Sequence, residues 1–170
     1  MKIAALAMLF LLLMGCGSQR TWTVEKWGPA EGDLRSLHEV EVRNFELPEK
    51  ILGSQKPGDS EQWHKEWPAE IADSFADMAT EESEDHKLTA RFIRAQPARH
   101  IMTYKIELLD IGSSYGHRVM SGIATITRAD GTVVVVLRGH NAQGRGWTPS
   151  PKGQASDMGK EFAEFLHSQR

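Results

Sequence analysis

Apolar residues in this chain follow three regimes: an unbroken run at the start, several stretches that alternate with period two, and two stretches spaced by three and four. Ile3 to Met14 (IAALAMLFLLLM) has no polar interruption. That is the length of a secretory signal's apolar core and short of the roughly 20 residues a spanning helix needs. From Gly17 to about Ser36 the chain is polar, contains Gly28-Pro29 and Gly32, and lacks a sustained period, which predicts a flexible tether. Trp22 and Trp27 lie within it, and either the lipid headgroup region or the domain can receive them. Leu37 to Leu47 (LHEVEVRNFEL) alternates at Val40 and Val42 and predicts a first strand. Turn residues follow until Asp59 or Ser60, either of which can cap a helix, with Gln62 completing a capping box from Asp59. Trp63, Trp67, Ile71, Phe75 and Met78 share one helical face, and Pro68 predicts a kink or a fresh helix start. The stretch TEESEDHK (Thr80 to Lys87) then reads as a solvated acidic connection.

Beyond this point alternation dominates. Lys87 to Ala95 predicts a strand, and Ile101 to Gly112 predicts another with Met102, Tyr104, Ile106 and Leu108 on one side. His117 to His140 reads as two strands joined by a two-residue type I′ turn at Asp130-Gly131. That register sets Ser121 opposite His140 and His117 opposite Gly144. The valines from Val133 to Val136 call for burial on both sheet faces or a partner on one. Ser150-Pro151 forms an N-cap and N1 pair for a helix carrying Ala155, Met158, Phe162, Phe165 and Leu166. The predicted order is β-α-β-β-β-α. It gives an α+β fold, one mainly antiparallel sheet of about four to five strands with two helices packed on one face, in a single domain over residues 37–170.

The sole cysteine changes this picture. Leu13-Met14-Gly15-Cys16 resembles the bacterial lipobox. The resemblance implies removal of residues 1–15, lipid on the Cys16 sulfur, acylation of its new amino group by a palmitate-type chain, and residues 16–36 as lipidated terminus and tether. Several acyl chains at about 0.8 kcal/mol per buried CH2 hold a domain at a membrane without a spanning helix. Gly17, in place of an aspartate, is compatible with export to an outer membrane facing the periplasm in a Gram-negative host. With no second cysteine there is no disulfide. A formal charge of −3 offers no basic field for nucleic acid, and 40% hydrophobic with 25% charged residues is a globular composition.

Gly116-His117-Arg118, Gly122, Asp130-Gly131 and the closing helix to Leu166 together resemble a family of bacterial envelope lipoproteins of unknown function, a Gly/Arg-rich type labelled only as a DUF. The resemblance spans about Leu37 to Leu166, and the fold it implies is similar to the N-terminal domain of TolB and to curli-secretion lipoproteins. A periplasmic scaffold or assembly role is what it implies. The chain departs from the pattern in having fewer glycines in the fourth strand and an extra loop rich in Gly and Arg after the fifth. The family supplies no catalytic residue.

Chemistry-bearing residues are few. Gly112-Ser113-Ser114-Tyr115-Gly116 fits the nucleophile-elbow pattern, which needs a strand-to-helix turn, whereas a strand follows here. Ser114 would draw a histidine from His140 or His167 and a carboxylate from Asp130 or Asp157, so a serine hydrolase is an alternative and no enzyme is the expectation. None of the seven histidines pairs with another four residues away on a helix, and no metal or cofactor is expected. The hairpin register gathers His117, Arg118, His140 and Arg145 at one sheet end, with Trp147 in the same loop. These five are the candidate contacts for a small anion or an acidic partner segment. The resulting expectation is a membrane-anchored periplasmic lipoprotein acting as a binding or accessory subunit of an envelope assembly or transport system, its protein partner meeting a sheet edge or the exposed face of the hairpin. A small-anion or ligand-binding lipoprotein is the other alternative.

Overall fold

Trp22 and Val24 alternate with Thr21, Thr23 and Glu25, and in the computed structural model, which describes residues 19–53, 59–112, 118–143 and 150–169, that alternation makes a strand. Strand β1 (Gln19–Trp27) pairs antiparallel with the last strand, β6 (Val133–Gln143). The tether predicted over 16–36 is therefore replaced by a sheet strand and, after it, a 3-10 helix at Glu31–Ser36. The remaining elements are β2 (Glu39–Val42), α1 (Asp59–Asp85), β3 (Arg91–Ile93), β4 (His100–Asp110), β5 (Arg118–Arg128) and α2 (Pro151–Ser168). The sheet order is β1-β6-β5-β4-β2-β3. It has six strands rather than four to five, and it is mixed, because β2 runs parallel to both β3 and β4. Among the described residues no helix is long and apolar enough to cross a membrane.

One face of the sheet is covered by the helices. Met102, Tyr104 and Ile106 of β4 and Met120, Ala124 and Ile126 of β5 are buried there, with Val135 and Leu137 of β6. The pairing of β4 with β5 slips between Ile106 and Leu108, so Glu107 is an extra residue and the alternation inverts after it. Leu109 takes the inner position and Leu108, predicted to join the core row, is exposed. Opposite the bulge only glycine fits: a Cβ on Gly122 would stand 2.1 Å from the Lys105 carbonyl oxygen.

The β5–β6 register matches the sequence reading, with Ser121 opposite His140. Its turn does not. Gly131 alone has positive φ, +86°, and its N–H donates to the Arg128 carbonyl, which makes a three-residue loop ending in a glycine bulge. Asp130 caps that loop by accepting from the Thr132 N–H at 2.8 Å. A compensating slip places Val134 beside Val135, and both are fully buried. This resolves the valine run. The second buried valine is covered by the chain leading into the 3-10 helix, where the Gly28 N–H donates to the Val134 carbonyl at 2.9 Å.

Helix α1 runs unbroken through Pro68, and it includes the acidic stretch read as a connection, up to Asp85. Its buried face is Ile71, Ala72, Phe75, Ala76 and Ala79, with Met78 only half-buried. The side chains of the predicted caps Asp59 and Ser60 lie outside the described residues. Helix α2 is capped as its sequence predicts, the Ser150 hydroxyl accepting from the Gly153 N–H at 3.4 Å with Pro151 at the first position. The helices lie parallel, since Lys152 reaches Glu70 at 3.1 Å and Lys160 reaches Glu82 at 3.4 Å. Trp22 sits between sheet and helices, in ring contact with Phe75, Tyr104 and Phe162, and its Nε1–H donates to the Met158 carbonyl at 3.0 Å.

The two ends of this sandwich differ. Gln19, Arg118 and the close of β6 mark one, here the near end because it adjoins Cys16 in sequence. Trp27, His100, Arg128, the 3-10 helix and the last turns of both helices mark the far end.

Candidate functional site: a basic hollow at the far end

Asp33 organises the far end. One of its carboxylate oxygens accepts from Arg128 Nε at 2.5 Å and lies 3.3 Å from His100 Nε2 and 3.8 Å from Arg99. The 3-10 helix carries Asp33 there, while the start of β4 supplies Arg99 and His100 and the end of β5 supplies Arg128. The Ala129 N–H donates to the Arg99 carbonyl at 2.8 Å, which locks the hairpin to the entry of β4. The Arg128 hydrogen bond, aided by His100, holds the Asp33 carboxyl down at about 2. His100 is 2% exposed, and its Nδ1 has no hydrogen-bond partner among the described residues.

Beside this cluster lies a hollow of about 310 Å³ lined by Ser36, His38, Glu39, Thr89, Arg91, Arg99 and His100. Parallel pairing of β2 with β3 sets Arg91 against Glu39, and pairing of β2 with β4 sets His100 against Val40. The lining thus carries two guanidiniums, two imidazoles and two hydroxyls, with Glu39 among them and Asp33 already against Arg99 and His100. Guanidinium forks match carboxylate and phosphate geometry, so Arg91 and Arg99 are the groups at this hollow with the chemistry to meet an acidic ligand.

The Asp33 contacts contribute to stability with a definite pH dependence. A carboxyl whose folded pKa lies below its unfolded value of 3.8 stabilises the fold above that value, and the contribution is lost as pH falls through about 2. With one side open to solvent, the expected contribution near neutrality is about 1 kcal/mol. Urea unfolding of Asp33→Asn at pH 7 should show that loss, and the wild-type advantage should shrink between pH 4 and pH 2. An advantage that grows on acidification would contradict the assignment.

The residues singled out in the sequence fare unevenly. Arg118 and His140 do reach one sheet end, the near one, but on opposite faces: Arg118 shares the inward row of Met120, and His140 stands opposite the outward Ser121. They are separated because a sheet end collects residues from both faces, whereas a site needs them on one. His117, Arg145 and Trp147 lie outside the described residues, as do Ser114 and Cys16. Of the proposed triad members, Asp130 is in the hairpin turn at the far end and His140 is near the other, about 25 Å apart along the strand. Asp33, His38, Arg91, Arg99 and His100 were not picked out by sequence. His100 faces the core in line with Met102 and Tyr104, and that period-two position was the available signal.

No protein-family model and no curated protein matches the chain. Solved structures do. Protein XCC0632 from Xanthomonas campestris, described under the family heading DUF330, is 15% identical over 88% of this chain and 94% of its own, with a TM-score of 0.51. A PelC dodecamer from Paraburkholderia phytofirmans is 16% identical over 89% of this chain and 98% of its own, with a TM-score of 0.47. At such identities the likeness is one of fold alone, which in this chain is a mixed six-stranded sheet with two main helices.

Proposed function

We propose that this chain is a lipid-anchored envelope protein that acts by binding, as an accessory subunit of an assembly or transport system, and that its far-end hollow receives an acidic group of its partner. The observation that carries the reading is the position of the hollow. Strand β1 begins three residues after Cys16, so a lipid on that cysteine holds the near end within about 10 Å of the bilayer. Nine residues of strand span about 30 Å, so with β1 rising from the bilayer the far end stands clear of the headgroups. A surface there with Arg91, Arg99 and His38 is presented to other envelope components rather than to lipid.

The test is in-cell photo-crosslinking of the native protein from position 91 or 99, and separately from position 121, followed by mild detergent extraction and mass spectrometry. A stoichiometric envelope protein captured from the far positions supports the reading, and Cys16→Ala should release the chain from the membrane fraction. Capture of the same protein only from position 121, or of none, overturns the placement of the contact.

A further inference from the structure

Where α1 and α2 end together, Glu82 in the last turn of α1 and His86, the residue just past its end, stand four apart, the His86 N–H donating to the Glu82 carbonyl at 3.0 Å, and Glu164 and His167 stand three apart on α2. Close contact between the helices brings the two pairs together. Glu82 Oε1 lies 3.3 Å from His86 Nε2, and one ligand atom each from Glu82, His86 and Glu164 falls within a mutual 4.8 Å. The rings of His86 and His167 stack with centroids 4.7 Å apart. Lys160 holds the other oxygen of Glu82 at 3.4 Å, which leaves Oε1 turned to His86. His86 Nε2 is itself shielded from solvent and makes no hydrogen bond among the described residues, despite the carboxylate beside it. One imidazole nitrogen and two carboxylate oxygens thus converge on a single point between the helix ends, the donor set a divalent cation takes.

We propose that Glu82, His86 and Glu164 form a divalent transition-metal site, with water in the fourth position and the His167 ring stacked on that of His86. Zinc holds imidazole nitrogen and carboxylate oxygen at about 2.0–2.2 Å, which sets neighbouring ligand atoms about 3.3–3.5 Å apart. The Glu82–His86 pair already has that spacing, and Glu164, an exposed side chain, closes the remaining ångström or so by a rotamer change. Both helices also direct the negative ends of their dipoles here, which favours a cation and disfavours an anion. The site is separate from the basic hollow and independent of lipid or partner, so it stands or falls apart from the proposed function.

The experiment is a competition titration of the purified full chain, carrying no histidine tag, with zinc chloride against a chromogenic chelator. A single zinc ion per chain is the expected stoichiometry, with affinity falling about tenfold or more in His86→Ala and in Glu164→Gln separately. Lys160→Met, which removes a competing cation, should bind no more weakly than wild type. Glu164 is exposed, so its variant tests the site even where His86→Ala fails to fold. No stoichiometric uptake, or uptake that survives in Glu164→Gln undiminished, overturns the proposal.

Discussion

Replacing Trp22 by Ala is expected to cost about 3–5 kcal/mol of stability, the range for emptying a large buried aromatic site. Trp22 is 8% exposed and lies 5.1 Å from the ring of Phe162, 5.7 Å from Tyr104 and 6.2 Å from Phe75. It is the residue through which the first strand enters the core between sheet and helices. Its indole N–H donates to the Met158 carbonyl inside α2, so truncation removes packing and also one strand-to-helix hydrogen bond. Gly139, directly across on β6, has no side chain because the indole occupies that space: a Cβ there would stand 2.8 Å from the Trp22 ring. Urea unfolding of Trp22→Ala against Trp22→Phe separates the two contributions. A loss below about 1 kcal/mol for the alanine variant would mean that the first strand is not docked and that residues 16–36 are a tether after all.

The second large effect is expected at the helix–helix contact. A Cβ on Gly159 would stand 2.4 Å from the Phe75 carbonyl oxygen and 3.1 Å from the Ala79 amide nitrogen. Both obstacles are backbone, so no rotamer relieves the clash and α2 must move away from α1. Gly159→Val should therefore lose about 3 kcal/mol or more, at the upper end of what overpacking costs, and thermal unfolding reads it directly. Gly32→Ala is the control, because nothing lies within 4 Å of its added carbon. A Gly159→Val protein as stable as wild type would show that the helices pack less closely than Ala72, Ala76 and Ala79 allow them to.

Legibility of this fold in its sequence follows the range of the interactions. The capped helix α2 and the β5–β6 register were readable because Ser150-Pro151 and Asp130-Gly131 act on residues within a few positions of themselves. The details of the turn were not, since a three-residue loop and a two-residue loop carry the same Asp-Gly pair and differ only in φ at one position. Strand β1 does alternate at Trp22 and Val24, but a short polar segment after an apolar run has the composition of a linker, and only pairing with β6 distinguishes the two. The far-end cluster was the least legible: His100 is 67 residues from Asp33 and Arg128 is 95. No local pattern joins them. The candidate end named from the sequence went wrong for a different reason, because register tells which residues share an end and parity alone tells which share a face.

The pairing of the first strand with the last also fixes an order of events. Residues 19–27 find their neighbours only at 135–142, and Trp22 finds its hydrogen-bond acceptor only in the final helix. A chain threaded from its N-terminus across a membrane therefore releases its opening strand long before the strand that holds it exists on the same side. Until then β1 and the growing sheet present unpaired edges, the kind of surface that joins to other chains. Folding of this chain is thus a closing rather than a growing process: the last eighteen-residue helix completes what the first nine-residue strand begins.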